Sequence, residues 1–361
     1  MFFSTPNNPV VKFADSASND AFSRIRTSHP VTLFDSMQQY GDNALVWENS
    51  FTGTGAVSNL LNESSVILST GGTGSGAKVT RSTRAYHRYQ PGKSQMILMT
   101  FTLGTAVSNL RRRVGYFDAN NGLFLEQISS GVSFVRRTNV TGTPTDTAVA
   151  QASWNIDKFD GTGPSGITLD FTKTQIMVID LQWLGAGRVR FGFDINGIIY
   201  LAHQSLHANI LSTVYMTTAC LPIRLEIENT GVTSGTNTMQ HICSAVISEG
   251  GFQGNYGFQF SEANTVGVGV TIRRPILSIR AKTTGPNSVR NTGHILLKAV
   301  EVMATSNSCL FEVVLNGTLT GASFAAVNAT YSLAERDSSA TAISGGIHLL
   351  VTLLEGFKWL K

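Results

Sequence analysis

The sequence contains little charge: 14% of its 361 residues are Asp, Glu, Lys or Arg, whereas about a quarter of a typical globular chain is charged. Hydrophobic residues make up 42%. A weakly charged chain that still folds is expected to bury much of its surface against another molecule. The net charge of +4 is scattered, with its densest run at Arg111–Arg113. That run suits a solvated strand end or a subunit contact better than nucleic-acid binding, so we predict no specific nucleic-acid partner.

Other features are absent as well. Three cysteines without a CxxC pair do not form a disulfide framework and are expected to be free thiols. No apolar run reaches about 18 residues, which predicts that the chain does not span a membrane. No P-loop, G-x-S-x-G elbow or dinucleotide-binding motif is present, so we predict no cofactor, no cofactor-binding residues and no catalytic residues.

Residues 51–250 contain short segments rich in β-branched and aromatic residues, which predict a β domain. The predicted strands are 77–82, 95–102, 112–117, 122–128, 132–137, 175–184, 188–195, 197–203, 223–229 and 239–248. Asn121-Gly122 and Asn196-Gly197 lie between such segments and predict hairpin tips, because Asn-Gly accommodates the positive φ angles of a tight turn. No helical pattern separates the segments, so an antiparallel β-sandwich, jelly-roll or concanavalin-like, is the predicted fold.

The regions flanking this domain differ from it. Residues 1–50 carry three prolines and apolar residues without strand or helix period, which predicts an irregular arm. Its apolar residues include Phe22, Ile25, Val31, Leu33, Phe34 and Trp47. Such an arm must lie on its own domain or on a neighbouring subunit. Residues 251–265 are rich in Gly, Asn and Gln and predict a linker.

Residues 266–361 predict a second, smaller β domain. Its strand-like segments are 268–281, 293–304, 309–317 and 346–356. The sequence ends in GFKWLK, without a turn or a polar tail. From this we expect either that the last strand is completed by a neighbour or that the chain continues.

Several carboxylates could carry chemistry. The segment 153–170 holds Asp157, Asp160 and Asp170 among glycines, and a calcium loop would use such oxygen ligands. The segment lacks the spacing of an EF-hand, so we predict a structured turn and no metal site. Three further carboxylates lie in or beside predicted strands: Glu126, Asp180 and Asp194. Two of them would have to meet in a cleft to form the catalytic pair of a glycosidase. We predict that the protein is not an enzyme.

Histidines and aromatic residues offer weaker signals. His203 and His207 are four residues apart but lie near a predicted strand, without an HExxH motif, so a metal site is not expected. Five aromatic residues could stack on sugars, although alternating strand positions favour a place in the core. They are Tyr86, Tyr89, Tyr116, Trp154 and Trp183.

Several longer strings resemble a family of virion-associated proteins of tailed bacteriophages, especially marine ones, and of large algal DNA viruses. They are AFSRIRTSHPVTLFDS (21–36), YHRYQPGKSQMILMTF (86–101), RRRVGYFDANNGLFLE (111–126), WNIDKFDGTGPSGITLD (154–170), DLQWLGAGRVRFGF (180–193) and LPIRLEIENT (221–230). The resemblance covers roughly residues 20–250 and carries over no catalytic residue. The smaller C-terminal domain matches no family that we can name.

The resemblance implies a location in the virion and a structural role in the tail, baseplate, head fibre or capsid decoration. A carbohydrate-binding adhesin that recognises host surface glycans is the alternative. We expect the partners to be other virion proteins and copies of the chain itself. A trimer is expected by analogy with phage fibres, with residues 1–50 in the contact.

Overall fold

The computed structural model describes residues 19–20, 22, 24, 29–254, 257–264, 271–285, 288–304 and 307–354. Two compact units divide the chain, one ending at Gln253 and the other beginning at Gly254. Both are built from antiparallel strands, as the sequence predicts. Within the described residues no helix is long and apolar enough to cross a membrane.

The described part of the first unit is a β-sandwich of fifteen strands. In chain order they are β1 (Val31–Met37), β2 (Trp47–Thr52), β3 (Ala56–Leu60), β4 (Ser65–Ser69), β5 (Lys78–Thr83), β6 (Ser94–Thr102), β7 (Leu110–Phe117), β8 (Gly122–Ile128), β9 (Gly131–Thr138), β10 (Thr145–Ala150), β11 (Gln175–Leu181), β12 (Val189–Ile195), β13 (Ile198–Ser205), β14 (Ile223–Asn229) and β15 (Thr238–Glu249).

These strands form two sheets. Sheet I has the order β13-β12-β11-β6-β15-β4-β3, and β1 also pairs with β15. Sheet II has the order β10-β9-β8-β7-β14-β5-β2. One face of each sheet contributes alternate apolar residues to a shared core, as in Phe191 and Phe193 of sheet I and Phe134 of sheet II.

All ten strands predicted between residues 77 and 248 are present. Asn196-Gly197 is the tip of the β12–β13 hairpin, with φ angles of 55° and 84°, as a type I′ turn requires. Asn121-Gly122 also lies in a hairpin, between β7 and β8. There the loop is longer, because Asp118 Oδ1 accepts the N–H groups of Asn120 and Asn121, each at 2.8 Å.

The prediction of an irregular arm over residues 1–50 is wrong for residues 31–50. β1 pairs with β15 in sheet I, and β2 pairs with β5 in sheet II. Among the described residues, the strands of the sandwich therefore begin at Val31, well before the predicted start of the main domain at residue 51. Pro6, Pro9 and Ile25 lie outside the described residues.

The apolar residues of this region pack on their own chain. Trp47 is fully buried in the sandwich core, and Leu33 and Phe34 pack against it. The guanidinium of buried Arg81 lies 4.5 Å from the Trp47 ring centroid and donates to Gln38 at 2.9 Å. This polar cluster fixes the chain between β1 and β2. Polar contacts of this kind leave no apolar/polar alternation in the sequence, and the sequence pattern therefore predicts an irregular arm.

The predicted linker over residues 251–265 also begins too early. Gln253 is bound to the sandwich by two hydrogen bonds with the Gln90 side chain, at 2.8 and 3.0 Å. Lys93 Nζ donates to the Gly251 carbonyl at 3.0 Å. The boundary between the units therefore follows Gln253.

The C-terminal unit contains short strands in three small sheets. The strands are β16 (Ser278–Ala281), β17 (Cys309–Leu315), β18 (Thr318–Thr320), β19 (Ala325–Ala326), β20 (Ala334–Asp337), β21 (Ala342–Ser344) and β22 (Ile347–Leu354). The sheet orders are β16-β20-β19, β17-β22 and β18-β21. The predicted strand over residues 293–304 is wrong, since the described chain forms no strand there. The terminal GFKWLK lies outside the described residues.

Candidate functional site

The carboxylates proposed for a glycosidase pair do not meet. Asp180 lies in β11 of sheet I and is held by Arg190. Asp194, at the end of β12, accepts the N–H of Gly197 at 2.8 Å. Glu126 belongs to β8 of sheet II and binds Arg113. No two of these three carboxylates share a strand, and Glu126 lies in a different sheet from the other two.

The aspartates of segment 153–170 stabilise turns. Asp157 accepts the N–H groups of Phe159 and Ser165, each at 2.8 Å. Asp160 and Asp170 each accept a hydroxyl and an N–H from the threonine two residues later. Those threonine hydroxyls lower the pKa of both carboxyls. Within the described chain no group of three metal-ligating side chains comes together.

Four of the five aromatic residues considered for sugar stacking are buried: Tyr86, Tyr89, Tyr116 and Trp154. The interpretation of these four as interior residues is confirmed. Trp183 is half-buried and donates from Nε1 to the Met216 carbonyl at 3.1 Å. A stacking platform made of these residues is therefore not available on the surface of the sandwich.

The outer face of sheet II carries a polar cleft of about 360 Å³. Its walls include the β7–β8 loop and the β9–β10 loop. The lining residues are Lys78, Arg113, Ala119, Arg137, Pro144, Asp146, Arg224 and Glu226. We call this site the polar cleft.

Opposite charges alternate across neighbouring strands around the polar cleft. Arg113 of β7 lies opposite Glu226 of β14 on one side and Glu126 of β8 on the other. Its Nε is 2.7 Å from Glu126 Oε2, and its Nη1 is 3.5 Å from Glu226 Oε2. One strand further, Arg137 of β9 binds Asp146 of β10 through two hydrogen bonds of 2.8 Å. The cleft is thus a continuous ion-pair network.

Glu226 is the most buried carboxylate of this network. Burial alone would raise the pKa of this carboxyl, but Arg224, Lys78 and Arg113 outweigh it and lower the pKa to about 2. Asp146 follows the same pattern: burial opposes the effect of Arg137, and the net pKa is lowered. Both carboxylates are therefore ionised at neutral pH.

An aromatic floor supports the cationic side chains. Phe117 and Phe124, whose ring centroids are 4.5 Å apart, form a small buried cluster with Val135. The guanidiniums of Arg113 and Arg137 each lie 5.2 Å from the Phe124 centroid. Cation–π contacts of this kind hold flat guanidinium groups in a fixed orientation. Every guanidinium nitrogen of Arg113 and Arg137 already donates to a protein oxygen, which leaves one N–H on each Nη for a ligand oxygen.

The sequence interpretation of Arg111–Arg113 misses this site. The three arginines lie in the middle of sheet II, and only Arg111 and Arg113 face outward; Arg112 points inward and donates to Gln127 Oε1 at 2.7 Å. One signal for the site is present in the sequence. The segment IRLEIEN (223–229) carries acidic residues at alternate positions, and these lie opposite Arg111 and Arg113 when β14 pairs with β7.

Comparison with known proteins gives no family. No family model matches the chain, and no curated protein matches it. Among solved structures, it is similar to a glycosyl hydrolase family protein from Mycobacterium fortuitum, with 10% identity and a TM-score of 0.40, over 60% of this chain and 99% of that one.

The chain is also similar to the receptor binding domain of botulinum neurotoxin D, with 12% identity and a TM-score of 0.36, over 60% of this chain and 49% of that one. A botulinum neurotoxin type C structure, whose title ties cell entry to two ganglioside molecules, shows 15% identity and a TM-score of 0.35, over 62% and 49% of the two chains. The chain spans about half the length of these toxin structures. Similarities of this size carry no functional argument.

Proposed function

We propose that the chain is a non-enzymatic structural subunit of a virus particle, which assembles with copies of itself through its C-terminal unit. The observation that carries this proposal is the apolar surface of that unit. β17 and β22 form a two-stranded sheet, here called the apolar ribbon. Its exposed apolar residues are Leu310, Leu315, Ile347, Leu349, Leu350, Val351 and Leu353.

Both faces of the apolar ribbon are open. Leu350 and Val351 follow one another along β22 and are each 50% exposed, and Leu349, at the irregularity in the strand pairing, is 60% exposed. Consecutive residues of a strand point to opposite faces of a sheet. A two-stranded sheet is marginally stable in water without further strands or a packing partner. The ribbon therefore favours a role in which another molecule covers it.

A second feature supports assembly at this unit. Within the described part of the chain, no hydrogen bond engages the backbone of residues 295–304. This segment also exposes apolar residues: Ile295, Leu296, Leu297, Val300 and Met303. Pairing of this segment with a strand of another chain would satisfy its backbone groups and cover its apolar side chains.

The size of the apolar surface is consistent with a stable interface. Covering one aliphatic side chain gains about 1.5–3 kcal/mol. From the relation between apolar area and free energy, the exposed apolar side chains of the ribbon and of segment 295–304 together amount to on the order of 1,000 Å². Each partner of a standard protein–protein interface buries about 800 Å². Copies of the chain are the partners we propose, with a trimer as the expected state.

The chemistry of the polar cleft favours binding over catalysis. Glycoside hydrolysis requires one carboxylic acid with a raised pKa to protonate the leaving group. Glu226 and Asp146 instead have lowered pKa values and are committed to arginines. These two carboxylates are therefore poor general acids, which supports a role without catalysis.

Gold-labelled antibodies against the sandwich test the particle role. We expect them to decorate one structural feature of purified particles, at a repeated position, in electron micrographs. The matched control is particles from a deletion mutant, which should remain unlabelled. If wild-type particles carry no label and contain no peptide of this chain by mass spectrometry, the particle proposal fails.

A second function is favoured by the polar cleft itself. We propose that it binds surface glycans, because planar charged side chains on an aromatic floor offer fixed donors and acceptors for sugar hydroxyls. Arg137 and Asp146 are the residues at its accessible edge, with side chains 11% and 31% exposed. Asp146 also reaches Arg113.

Glycan binding through the polar cleft is expected to depend on Arg137. On a glycan array, Arg137→Ala should bind at least about tenfold more weakly than the wild type, because the guanidinium donors at the accessible edge are lost and Asp146 loses the partner that orients its carboxylate. Arg84→Ala, at a half-exposed arginine directly after β5, is the control. Equal binding by Arg137→Ala and the wild type would exclude the cleft as the glycan site.

A further inference from the structure

A second cavity lies between the edges of the two sheets, where β10 and β9 of sheet II face β13 and β12 of sheet I. We call it the edge pocket; its volume is about 260 Å³. The lining residues are Phe134, Arg136, Thr147, Val149, Phe191, His203, Ser205, Leu206, His207, Ile210 and Leu211. Six of these eleven residues are apolar and five are polar.

Arg136 is the unusual residue of the edge pocket. It is half-buried, and its Nε is buried without a hydrogen-bond partner. Its one hydrogen bond is long, 3.4 Å from Nη2 to Thr147 Oγ1. Among the described residues no carboxylate lies within ion-pair distance of its guanidinium. Burial lowers its pKa, which reflects the cost of keeping this cation away from water.

Three other arginines of the sandwich are paired with carboxylates. Arg137, the next residue, binds Asp146 twice, and Arg113 contacts three carboxylates. Arg190, fully buried in sheet I, is paired with Asp180. Because buried N–H groups in proteins normally have a hydrogen-bond partner, the unsatisfied Nε of half-buried Arg136 distinguishes this guanidinium from its paired neighbours.

The two histidines of the edge pocket do not add charge. His207 Nδ1 is 2.6 Å from the Gly187 carbonyl, which can only accept, so Nδ1 carries the proton. His203 Nδ1 accepts the N–H of Asn155 at 3.3 Å, so in the neutral ring the proton is on Nε2. Burial lowers the pKa of both rings. At neutral pH, Arg136 is therefore the single formal charge among the lining residues.

The apolar walls restrict the anion to one with a hydrocarbon part. Phe134 and Phe191 stack with centroids 4.4 Å apart at the base of the pocket. Leu206 and Ile210 line the rim and are more than half exposed. A volume of this size holds about eight or nine water-sized groups. That is the size of a short aliphatic or a benzene carboxylate.

We propose that the edge pocket binds a small apolar monocarboxylate, whose carboxylate pairs with Arg136 and whose hydrocarbon part packs against Phe134 and Phe191. An arginine offers a carboxylate two parallel donors, which fixes the orientation of the ligand. His203 Nε2 lies 3.4 Å from Ser205 Oγ, and both groups line the same pocket. This site is separate from the polar cleft and does not depend on the particle role.

Benzoate is the probe, titrated into the full chain at pH 7 by calorimetry. We expect a dissociation constant on the order of 0.1–1 mM, in line with a ligand of this size. Benzamide, which has the same shape without the charge, and sulfate, which has the charge without the ring, should each bind at least about tenfold more weakly. The proposal would be overturned if benzoate gave no binding heat at about 10 mM, tenfold above the upper end of the expected dissociation constant. Equal binding of benzoate and benzamide would also overturn it.

Two variants assign the binding to Arg136. Arg136→Gln should weaken benzoate binding at least about tenfold, whereas Arg84→Gln, remote on the surface, should leave it unchanged. Thr147→Glu places an internal carboxylate beside Arg136 Nη2 and should compete with the ligand; Thr147→Gln is the neutral control of the same size. Because Thr147 is exposed, both of its variants are expected to fold. They therefore test the assignment even if Arg136→Gln does not fold. Benzoate binding that is equal in Thr147→Glu and Thr147→Gln would contradict the assignment.

Discussion

Replacing Glu226 with glutamine is expected to lower the free energy of unfolding by about 3–5 kcal/mol at pH 7. The substitution keeps the shape of the side chain but leaves the cationic groups of Arg113, Arg224 and Lys78 without their most buried counter-charge. Urea denaturation followed by tryptophan fluorescence measures the change. Glu48→Gln, at an exposed glutamate on the same face of sheet II, is the matched control and should change stability by less than about 1 kcal/mol.

The same carboxylate predicts a pH dependence. Its folded pKa of about 2 lies below the usual 4.5, so the folded state binds the proton less tightly than the unfolded state does. The stabilisation, about 3 kcal/mol, is complete above pH 4.5 and is lost as the pH falls toward 2. Glu226→Gln should therefore flatten the stability profile between pH 4.5 and 2. A profile identical to that of the wild type would show that Glu226 does not contribute.

Breaking the buried pair in sheet I should have an effect of similar size. Asp180→Asn removes the carboxylate that pairs with Arg190, whose side chain is fully buried, and removing one partner of a buried ion pair typically costs about 3–5 kcal/mol. Arg190 also donates to the Asn19 carbonyl, and Arg188 donates to the Asp20 carbonyl at 3.1 Å. The variant should therefore also become more sensitive to proteolysis near residues 19–24.

Two controls separate the charge effect from packing. The double variant Asp180→Leu with Arg190→Met replaces the pair by apolar side chains and should recover most of the lost stability. Glu335→Gln breaks an exposed pair with Arg280 and should cost less than about 1 kcal/mol. If Asp180→Asn were no less stable than Glu335→Gln, the buried pair would not stabilise the sandwich.

The sequence predicts the centre of the sandwich well, because period-two alternation and turn residues are local signals. β8 and β14 match their predicted limits, and the hairpin at Asn196-Gly197 follows from its dipeptide. The edge strands β3 and β10 are missed. They are polar and largely exposed, so alternation is weak in them.

Long-range contacts account for the other errors. β1 and β2 are placed by the polar cluster around Arg81, whose partners come from distant parts of the sequence. Segment 293–304 has the composition of a strand, yet composition alone does not supply a pairing partner. The polar cleft depends on strand register, since Arg113 and Glu226 are more than a hundred residues apart and meet only when β7 and β14 pair.

The central claim of assembly through the C-terminal unit is tested most directly by light scattering of the full chain. A variant with Leu349, Leu350, Val351 and Leu353 replaced by threonine keeps strand propensity but removes the apolar surface. Four isolated exposed residues of the sandwich, replaced by threonine, provide the control: Ile128, Ile176, Ile198 and Val232. We predict that the wild type and the control are oligomers at micromolar concentration and that the ribbon variant has the monomer mass of 38.8 kDa. A wild-type chain that is a stable 38.8 kDa monomer across this range would contradict the account.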